Sequence, residues 1–562
     1  MGSYASVQTL VDGKVASRVY AKDATLYDFD ENALDFGKNF MGWTDLASNP
    51  PVSIDEIQSL ADRLAADGIE HAVLIGQGGS TQASMTMTKF LKGTGTRMDF
   101  RTLDSDSPVR LRQMLAACDP AKTVVVVSSK SGGTLEMRLM LSAVRDAFSK
   151  SISEAEFAKH LVAITDPGSD LEARSASEGW AATLPGEPTV GGRFSALSVF
   201  GLLPAALVGV DLKKLVAAAA EAERDCSADS PDNPALQLGA FLYDNYKAGR
   251  DKFAFVTQKR TRALGLWTEQ LIAESTGKDG QGILPYVEVD TLLLAKDAGD
   301  RTVITYKVLA DSDDEQRNFD AALSVIDPVT PRIDYEIDSI EGLVKHFIMW
   351  EYATAMCGYL MRVCPFDQPN VASAKARVLE ILDAGLPVPD FTQDFIDGAN
   401  RGVAKVRVSG NLSAPRDIRG ALESLLASVK PGDFFAVNAF LPFAGEGRRE
   451  ALESVRFAVA DSLGVPSCLE IGPRFLHSTG QLQKGGPATG VFLVLSADEA
   501  DDVVLAGQPA ASLGELAEAQ ATGDALTLIE RGRRCVHLHL PDNSATTLRL
   551  VAKLVREALA KL

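Results

Sequence analysis

An α/β protein is predicted, built as two doubly wound parallel-sheet domains and a C-terminal α/β unit, on three observations. Short continuous apolar runs, such as HAVLIG at 71–76 and TVVVVSS at 123–129, alternate with longer stretches of helical period. Each run is closed by glycine, serine or another turn residue before the next helix begins. The alternation restarts twice along 562 residues, a length of several typical domains. Continuous rather than alternating apolar runs mark strands covered on both faces, as in a parallel sheet between helices.

The first 50 residues show no sheet pattern and are expected to wrap around the first domain, 51–225. That domain carries the runs at 71–76 and 123–129 and LVAIT at 161–165. The second domain, 226–386, carries FAFVT (253–257), PYVEVD (285–290) and TVITYKVL (302–309), then helical patterns over 340–363 and 370–385. PVPDFTQDFIDGANRG (387–402) reads as a linker or excursion opening the last unit, 387–562. There FFAVNAF (434–440), the run at 491–497 and CVHLHLP (535–541) read as strands, with helices near 413–428, 448–463, 512–523 and 544–561.

The composition excludes several classes. Hydrophobic residues at 46% and charged residues at 23% supply ample cores. No apolar run approaches the length that crosses a bilayer, and the first residues lack the basic, then apolar, pattern of a secretory signal. Six cysteines are scattered without a CxxC pair, which suits a reducing, cytoplasmic setting. A formal charge of −19 opposes nucleic-acid binding. An anionic ligand would need a locally basic or amide-rich pocket against that background.

Two strand-to-helix junctions offer one. In LIGQGGSTQ, the loop Gly76–Ser80, with Gly79 and Ser80 at the helix start, lets backbone N–H groups approach a ligand; a plain tight turn gives the same sequence. In VVVVSSKSGGTLEM, Ser129, Lys130, Ser131 and Thr134 surround a glycine pair at a strand end. Hydroxyls, an ammonium and open amides are the partners a phosphate monoester needs, although a serine–glycine cap is the bland alternative. Arg193, in GGRFS, precedes a helix and suits a carboxylate, phosphate or enediolate, or a structural ion pair. Gln270 and Glu274 stand four apart, on one helical face. Gln368 and Lys375, seven apart at a helix start, are expected to point the same way. His477 lies in GPRFLHSTGQLQKGG, a polar glycine-rich segment of the kind that often carries function. No histidine or cysteine spacing suggests a metal site.

Taken in order, GQGGS, SKSGGT, GGRFS, EQLIAESTGK and PFDQPNVASAK resemble the phosphoglucose isomerase family, and GPRFLHSTGQLQKGG resembles the isomerase half of bacterial bifunctional transaldolase–phosphoglucose isomerases. The resemblance runs from about position 15 to near the end. It implies two sugar-isomerase (SIS-type) domains and interconversion of glucose 6-phosphate and fructose 6-phosphate in glycolysis and gluconeogenesis, with no cofactor. It implies Glu274 as the base, Arg193 as the enediolate's cation, and Lys375 in ring opening. It also implies Gly79, Ser80, Ser129, Lys130, Ser131, Thr134, Gln270 and Gln368 as substrate contacts. The family's ring-opening histidine has no counterpart between 279 and 345, so His477 is the candidate replacement. A mannose-6-phosphate isomerase and a non-enzymatic sugar-phosphate regulator remain as alternatives. Expected partners are the sugar phosphate and either a second copy of the chain or a separate transaldolase, with no nucleic acid and no membrane.

Overall fold

A computed structural model describes residues 4–287, 289–395, 404–411, 417–443, 445–505 and 507–562, with side chains throughout except at 371–375 and 404. The chain forms two compact units. The first comprises residues up to 104, 114–278 and 282–368; the second comprises 105–113, 279–281 and 369–562.

The first unit holds two all-parallel sheets. One contains β1 (His71–Ile75), β2 (Asp99–Leu103), β3 (Thr123–Ser128), β4 (Leu161–Thr165) and β5 (Ala182–Pro185), in the order β2-β1-β3-β4-β5. Valine-rich β3 and apolar β4 are buried along their whole length, as expected for central strands with helices on both faces. The chain leaves β1 for β2 on one side and later returns to β3 on the other. The order therefore reverses between β1 and β3, the place where open α/β sheets bind ligands beyond their carboxyl ends. The other sheet contains β6 (Lys252–Thr257), β7 (Leu284–Val287), β8 (Arg301–Val308) and β9 (Arg332–Ile337), in the order β7-β6-β8-β9.

One hydrophobic core serves both sheets, running from Val7 to Phe366. The boundary expected at 225/226 therefore separates two sheets but not two cores. The helices Gly79–Phe90 and Arg262–Thr276, one from each sheet's layer, pack on each other, and Thr86 Oγ1 donates to the Ala263 carbonyl at 2.9 Å. The N-terminal residues are helical and reach beyond the first domain. Tyr27 donates to the Ala355 carbonyl at 3.1 Å, and the Thr44 carbonyl accepts from Tyr352 at 2.6 Å. Both partners lie on the long helix Ile340–Met361 of the second sheet's layer.

The second unit is built on a mixed six-stranded sheet of β10 (Phe391–Phe395), β11 (Ala404–Gly410), β12 (Phe434–Phe440), β13 (Ser467–Ile471), β14 (Gly490–Ala497) and β15 (Arg534–Leu540), in the order β10-β11-β15-β14-β12-β13. The supposed excursion at 387–402 thus contains a strand, β10, paired antiparallel with β11; residues 396–403 lie outside the described ones. The helix Val371–Ala384 belongs to this unit rather than to the second domain. Its Val378 and Ile381, three apart on one face, pack on the helix Leu513–Glu530 beside Gly523. Among the described residues, no helix is long and apolar enough to cross a membrane.

Candidate active site

The loops after β1 and β3 meet at the reversal point. Ile75 is level with Val127 across the β1–β3 pair, so Gly76 follows beside Ser128. The Ser128 hydroxyl donates to the Ser80 carbonyl at 3.3 Å. Gly79 opens the next helix, Gly79–Phe90, and its expected role in admitting ligand has a packing counterpart. A methyl group there would lie about 2.1 Å from the Gly192 carbonyl carbon. Only glycine lets this helix start sit against the Gly192–Arg193 backbone. Ser80 is half-buried, and its hydroxyl donates to the Gln77 carbonyl at 2.9 Å.

The second loop is a hydroxyl cluster at a helix start. Ser129 Oγ and Thr134 Oγ1 are 3.1 Å apart. Thr134 is the N-cap of the helix Leu135–Phe148 without capping it through its side chain, so its hydroxyl stays with Ser129. Ser131 is exposed, and its hydroxyl accepts from the Gly133 amide at 3.3 Å. Gly132 turns the loop with φ +71°, a conformation that costs other residues strain. The amides of the helix's first turn have no partners within the helix and carry the positive end of its dipole. Lys130 departs from the sequence expectation of a phosphate contact. Its ammonium pairs with Asp166 at 2.6 Å and donates to the carbonyls of Glu187 and Pro188 at 3.1 and 3.0 Å. Three bonds exhaust its donors, and a carboxylate just beyond β4 supplies a stronger partner than an exposed loop.

Arg193 connects the sheet edge to the helix Arg262–Thr276. The guanidinium is buried (3% exposed). Nε donates to Ser275 Oγ at 2.8 Å, Nη1 to Gln368 Oε1 at 2.9 Å, and Nη2 to the carbonyls of Pro365 and Asp367 at 2.5 and 2.9 Å. Glu274 Oε2 lies 3.6 Å from Nη1 and accepts from Gln270 Nε2 at 3.2 Å. The face shared by Gln270 and Glu274 is thus buried rather than solvated, with Glu274 only 4% exposed. A charged carboxylate at that depth requires a nearby cation, and Arg193 is that cation. Phosphate-type donors, a buried carboxylate and a fixed positive charge are contiguous through Ser128–Ser80, Gly79–Gly192 and Arg193–Glu274.

Lys278 went unnoticed as a site residue. Its ammonium is buried and bonds to the Asp367 carboxylate and the Cys364 carbonyl, so two cations, Lys278 and Arg193, grip the segment 364–368. Burial first and the Arg193 charge second push the lysine down to about 8. The signal was present: Lys278 and Asp367 are opposite charges inside two of the quoted motifs. The two-turn argument for Gln368 and Lys375 does not hold, because the helix begins at Val371 and Gln368 precedes it. The Lys375 side chain lies outside the described ones. His477 is half-buried at the end of the short helix Arg474–His477, in the second unit, whereas Glu274 belongs to the first. His537 and His539 share one face, as their alternation requires, and both bond Ser496 Oγ, at 2.8 and 2.9 Å. Among the described residues, Asp498, Glu518 and His539 form a group with metal-ligand spacing. Arg407 already supplies positive charge there, 2.6 Å from Glu518 and 3.6 Å from Asp498.

The sequence pattern of the family described as phosphoglucose isomerase matches residues 55–291. A glucose-6-phosphate isomerase of Mycoplasmopsis pulmonis is 29% identical over 401 residues, covering 62% of this chain and 91% of the relative. A probable glucose-6-phosphate isomerase of Methanococcus maripaludis is 31% identical over 365 residues, covering 58% of this chain and 82% of the relative. Among solved structures, a hypothetical protein from Thermus thermophilus aligns with a TM-score of 0.57 at 23% identity, over 67% of this chain and 97% of that one. A glucose-6-phosphate isomerase from Chlamydia trachomatis aligns with a TM-score of 0.51 at 20% identity, over 65% of this chain and 78% of that one. These two structural likenesses concern the fold.

Proposed function

Because the chain belongs to the phosphoglucose isomerase family, we propose that it is a glucose-6-phosphate isomerase, interconverting glucose 6-phosphate and fructose 6-phosphate through an enediolate. The observation that carries the chemistry is the buried Glu274 carboxylate held 3.6 Å from Arg193. Aldose–ketose isomerisation moves one proton between adjacent carbons. A single carboxylate set over both can remove it from one and return it to the other. Glu274 is assigned that role, with Gln270 fixing the carboxylate's orientation.

Removing the carbon-bound proton puts negative charge on the sugar oxygens. Arg193 stabilises that charge without exchanging a proton, since its guanidinium stays charged and is immobilised by its ties to Ser275, Gln368 and the 365–367 carbonyls. Preorganisation matters because a cation already in place need not reorganise as the charge develops. Ser80, Ser129, Ser131 and Thr134, with the helix amides behind them, hold the phosphate and so position the reacting carbons. Lys130 acts one step back, bracing the phosphate loop against Asp166. Lys375 and His477 are assigned to ring opening, a role that rests on the sequence resemblance.

The test is a coupled assay of the purified chain with fructose 6-phosphate, in excess EDTA. Turnover to glucose 6-phosphate is expected. Turnover only with mannose 6-phosphate moves the assignment to a related isomerase, and binding without turnover of either sugar makes the protein a sugar-phosphate receptor. A separate transaldolase as partner is tested by co-purification from the native cell. His477→Ala, compared on cyclic and open-chain substrate, tests ring opening, which requires a large loss only with the cyclic form.

A further inference from the structure

The GQLQKGG stretch of the second unit remains unexplained by the chemistry above. It forms the short helix Gly480–Gly485, whose polar side chains are buried. Gln481 is fully buried, and Gln483 and Lys484 are 2% and 3% exposed. Each is tied down. Lys484 pairs with Asp524 at 2.5 Å, and Gln483 Oε1 accepts from Asn438 Nδ2 at 2.8 Å. Arg533 closes the helix's far end by donating to the carbonyls of Gln483, Lys484 and Gly486 at 3.0, 3.0 and 2.7 Å. A helix this short has little stability of its own. Here its rigidity comes from the tertiary bonds.

That rigid helix grips two other stretches of the same unit. Gln481 Oε1 accepts from the Asn370 backbone N–H at 2.9 Å, and the Gln481 and Asn370 side-chain amides meet at 2.7 Å, the other end of the Asn370 amide facing the Arg531 guanidinium at 2.9 Å. The backbone donor settles which end of the Gln481 amide is oxygen. The Gly485 carbonyl accepts from the Gly280 N–H at 3.0 Å. Asn370 is the N-cap of the helix that carries Lys375 and stands two residues after Gln368. Gly280 stands two residues after Lys278 and six after Glu274.

We propose that Gln481 is a positioning residue for the isomerase reaction: the helix 480–485 fixes the start of the Lys375 helix through Asn370, and the turn after the Glu274 helix through Gly280. This inference rests on the isomerase reading above. It gives the segment a structural task toward catalysis that contains no substrate contact.

The test compares Gln481→Met, which fills the same buried space without either hydrogen bond, with Gln481→Glu. The carboxylate still accepts from the Asn370 N–H, and the Asn370 side-chain amide can turn its NH2 toward the other oxygen and its own oxygen toward the Arg531 guanidinium, the nearby cation a buried carboxylate requires. Expected for Gln481→Met is a fall in kcat on fructose 6-phosphate of about tenfold or more, since small misplacements of catalytic groups are costly, with KM within about threefold. Gln481→Glu should recover most of the loss. Hydrogen–deuterium exchange should rise at 369–377 and 279–283 in Gln481→Met while the strands of the second unit stay protected. Unchanged exchange at both stretches, or unchanged kcat in an active enzyme, overturns the proposal, as does an equal loss in both variants. Wild-type protein inactive on sugar phosphates, with exchange still raised in Gln481→Met, overturns the isomerase reading and leaves the clamp standing. Should Gln481→Met not fold, Asn370→Ala, which removes the side-chain half of the contact and keeps the backbone N–H, is read by the same measurements, with a smaller effect expected.

Discussion

Two buried ion pairs, one in each unit, divide the molecule's chemistry. Lys484 and Asp524 are in direct contact at 2.5 Å, both almost wholly buried, and the second Asp524 oxygen accepts from Asn438 at 3.2 Å. Arg193 and Glu274 are as deeply buried but stand 3.6 Å apart, because the guanidinium spends four of its hydrogen bonds on Ser275, Gln368 and two carbonyls. A carboxylate bonded directly to an ammonium has its charge answered and its oxygens occupied. One whose cation is tied to other ligands meets it only at longer range and keeps oxygen lone pairs open to a proton. Under the proposed mechanism, separation, rather than burial or charge, distinguishes the brace from the base.

The sharpest way to break this contrast is Glu274→Gln. The amide keeps shape and polarity but cannot accept a proton, so kcat should fall by about a hundred- to ten-thousand-fold. Equilibrium binding of the sugar phosphate, read by calorimetry, should change little. Retention of more than about a tenth of the turnover would remove Glu274 from the role of base. Asp524→Asn should do the reverse. Stranding the Lys484 ammonium should cost about 3–5 kcal/mol in denaturant unfolding, more than Glu274→Gln costs. A smaller loss in stability than that of Glu274→Gln would erase the distinction.

Arg193→Lys is expected to lower kcat by about a hundredfold, because an ammonium offers three donors and no planar fork to hold the 365–368 segment and face Glu274 together. Wild-type turnover in the lysine variant would mean that the fork is dispensable.

The smallest effect concerns Lys278 and is read from pH. Burial holds the folded lysine down to about 8, whereas an unfolded lysine holds its proton to about 10.4. Between those values the unfolded chain binds more protons, so this group's contribution to stability rises with pH. Activity moves the other way, since neutral Lys278 grips Asp367 less and loosens the segment that orients Arg193. The expected profile is an alkaline fall in kcat near pH 8, which Lys278→Arg shifts upward. An unchanged alkaline limb in that variant would detach Lys278 from catalysis.

How far the sequence could be read follows a physical pattern. The central strands β1, β3, β4, β6, β8, β12, β14 and β15 are legible because burial on both faces demands continuous apolar runs. The strands not anticipated are β2, β5, β9, β10 and β13, all at sheet edges, and β11. Edge strands are partly solvated, so their sequences alternate or turn polar, as in RIDYEI of β9, where exposed and buried positions interleave. β11 pairs antiparallel on both sides, and its AKVRVSG carries the same alternation.

The site divides along a similar line. The residue types and their order, from GQGGS to FDQ, were set out by the sequence alone, as was the face shared by Gln270 and Glu274, because a helix fixes which residues four apart are neighbours. Side-chain partners across distant segments were not. That Lys130 turns to Asp166, that Gly79 is a close-packing glycine against Gly192, that Lys278 meets Asp367, and that Gln481 is bonded to Asn370 depend on where separate loops come to rest. Hydrogen bonds are short-ranged and directional. Only a folded chain, which brings residues some hundred positions apart to within about 3 Å, decides which of several possible partners a polar group takes.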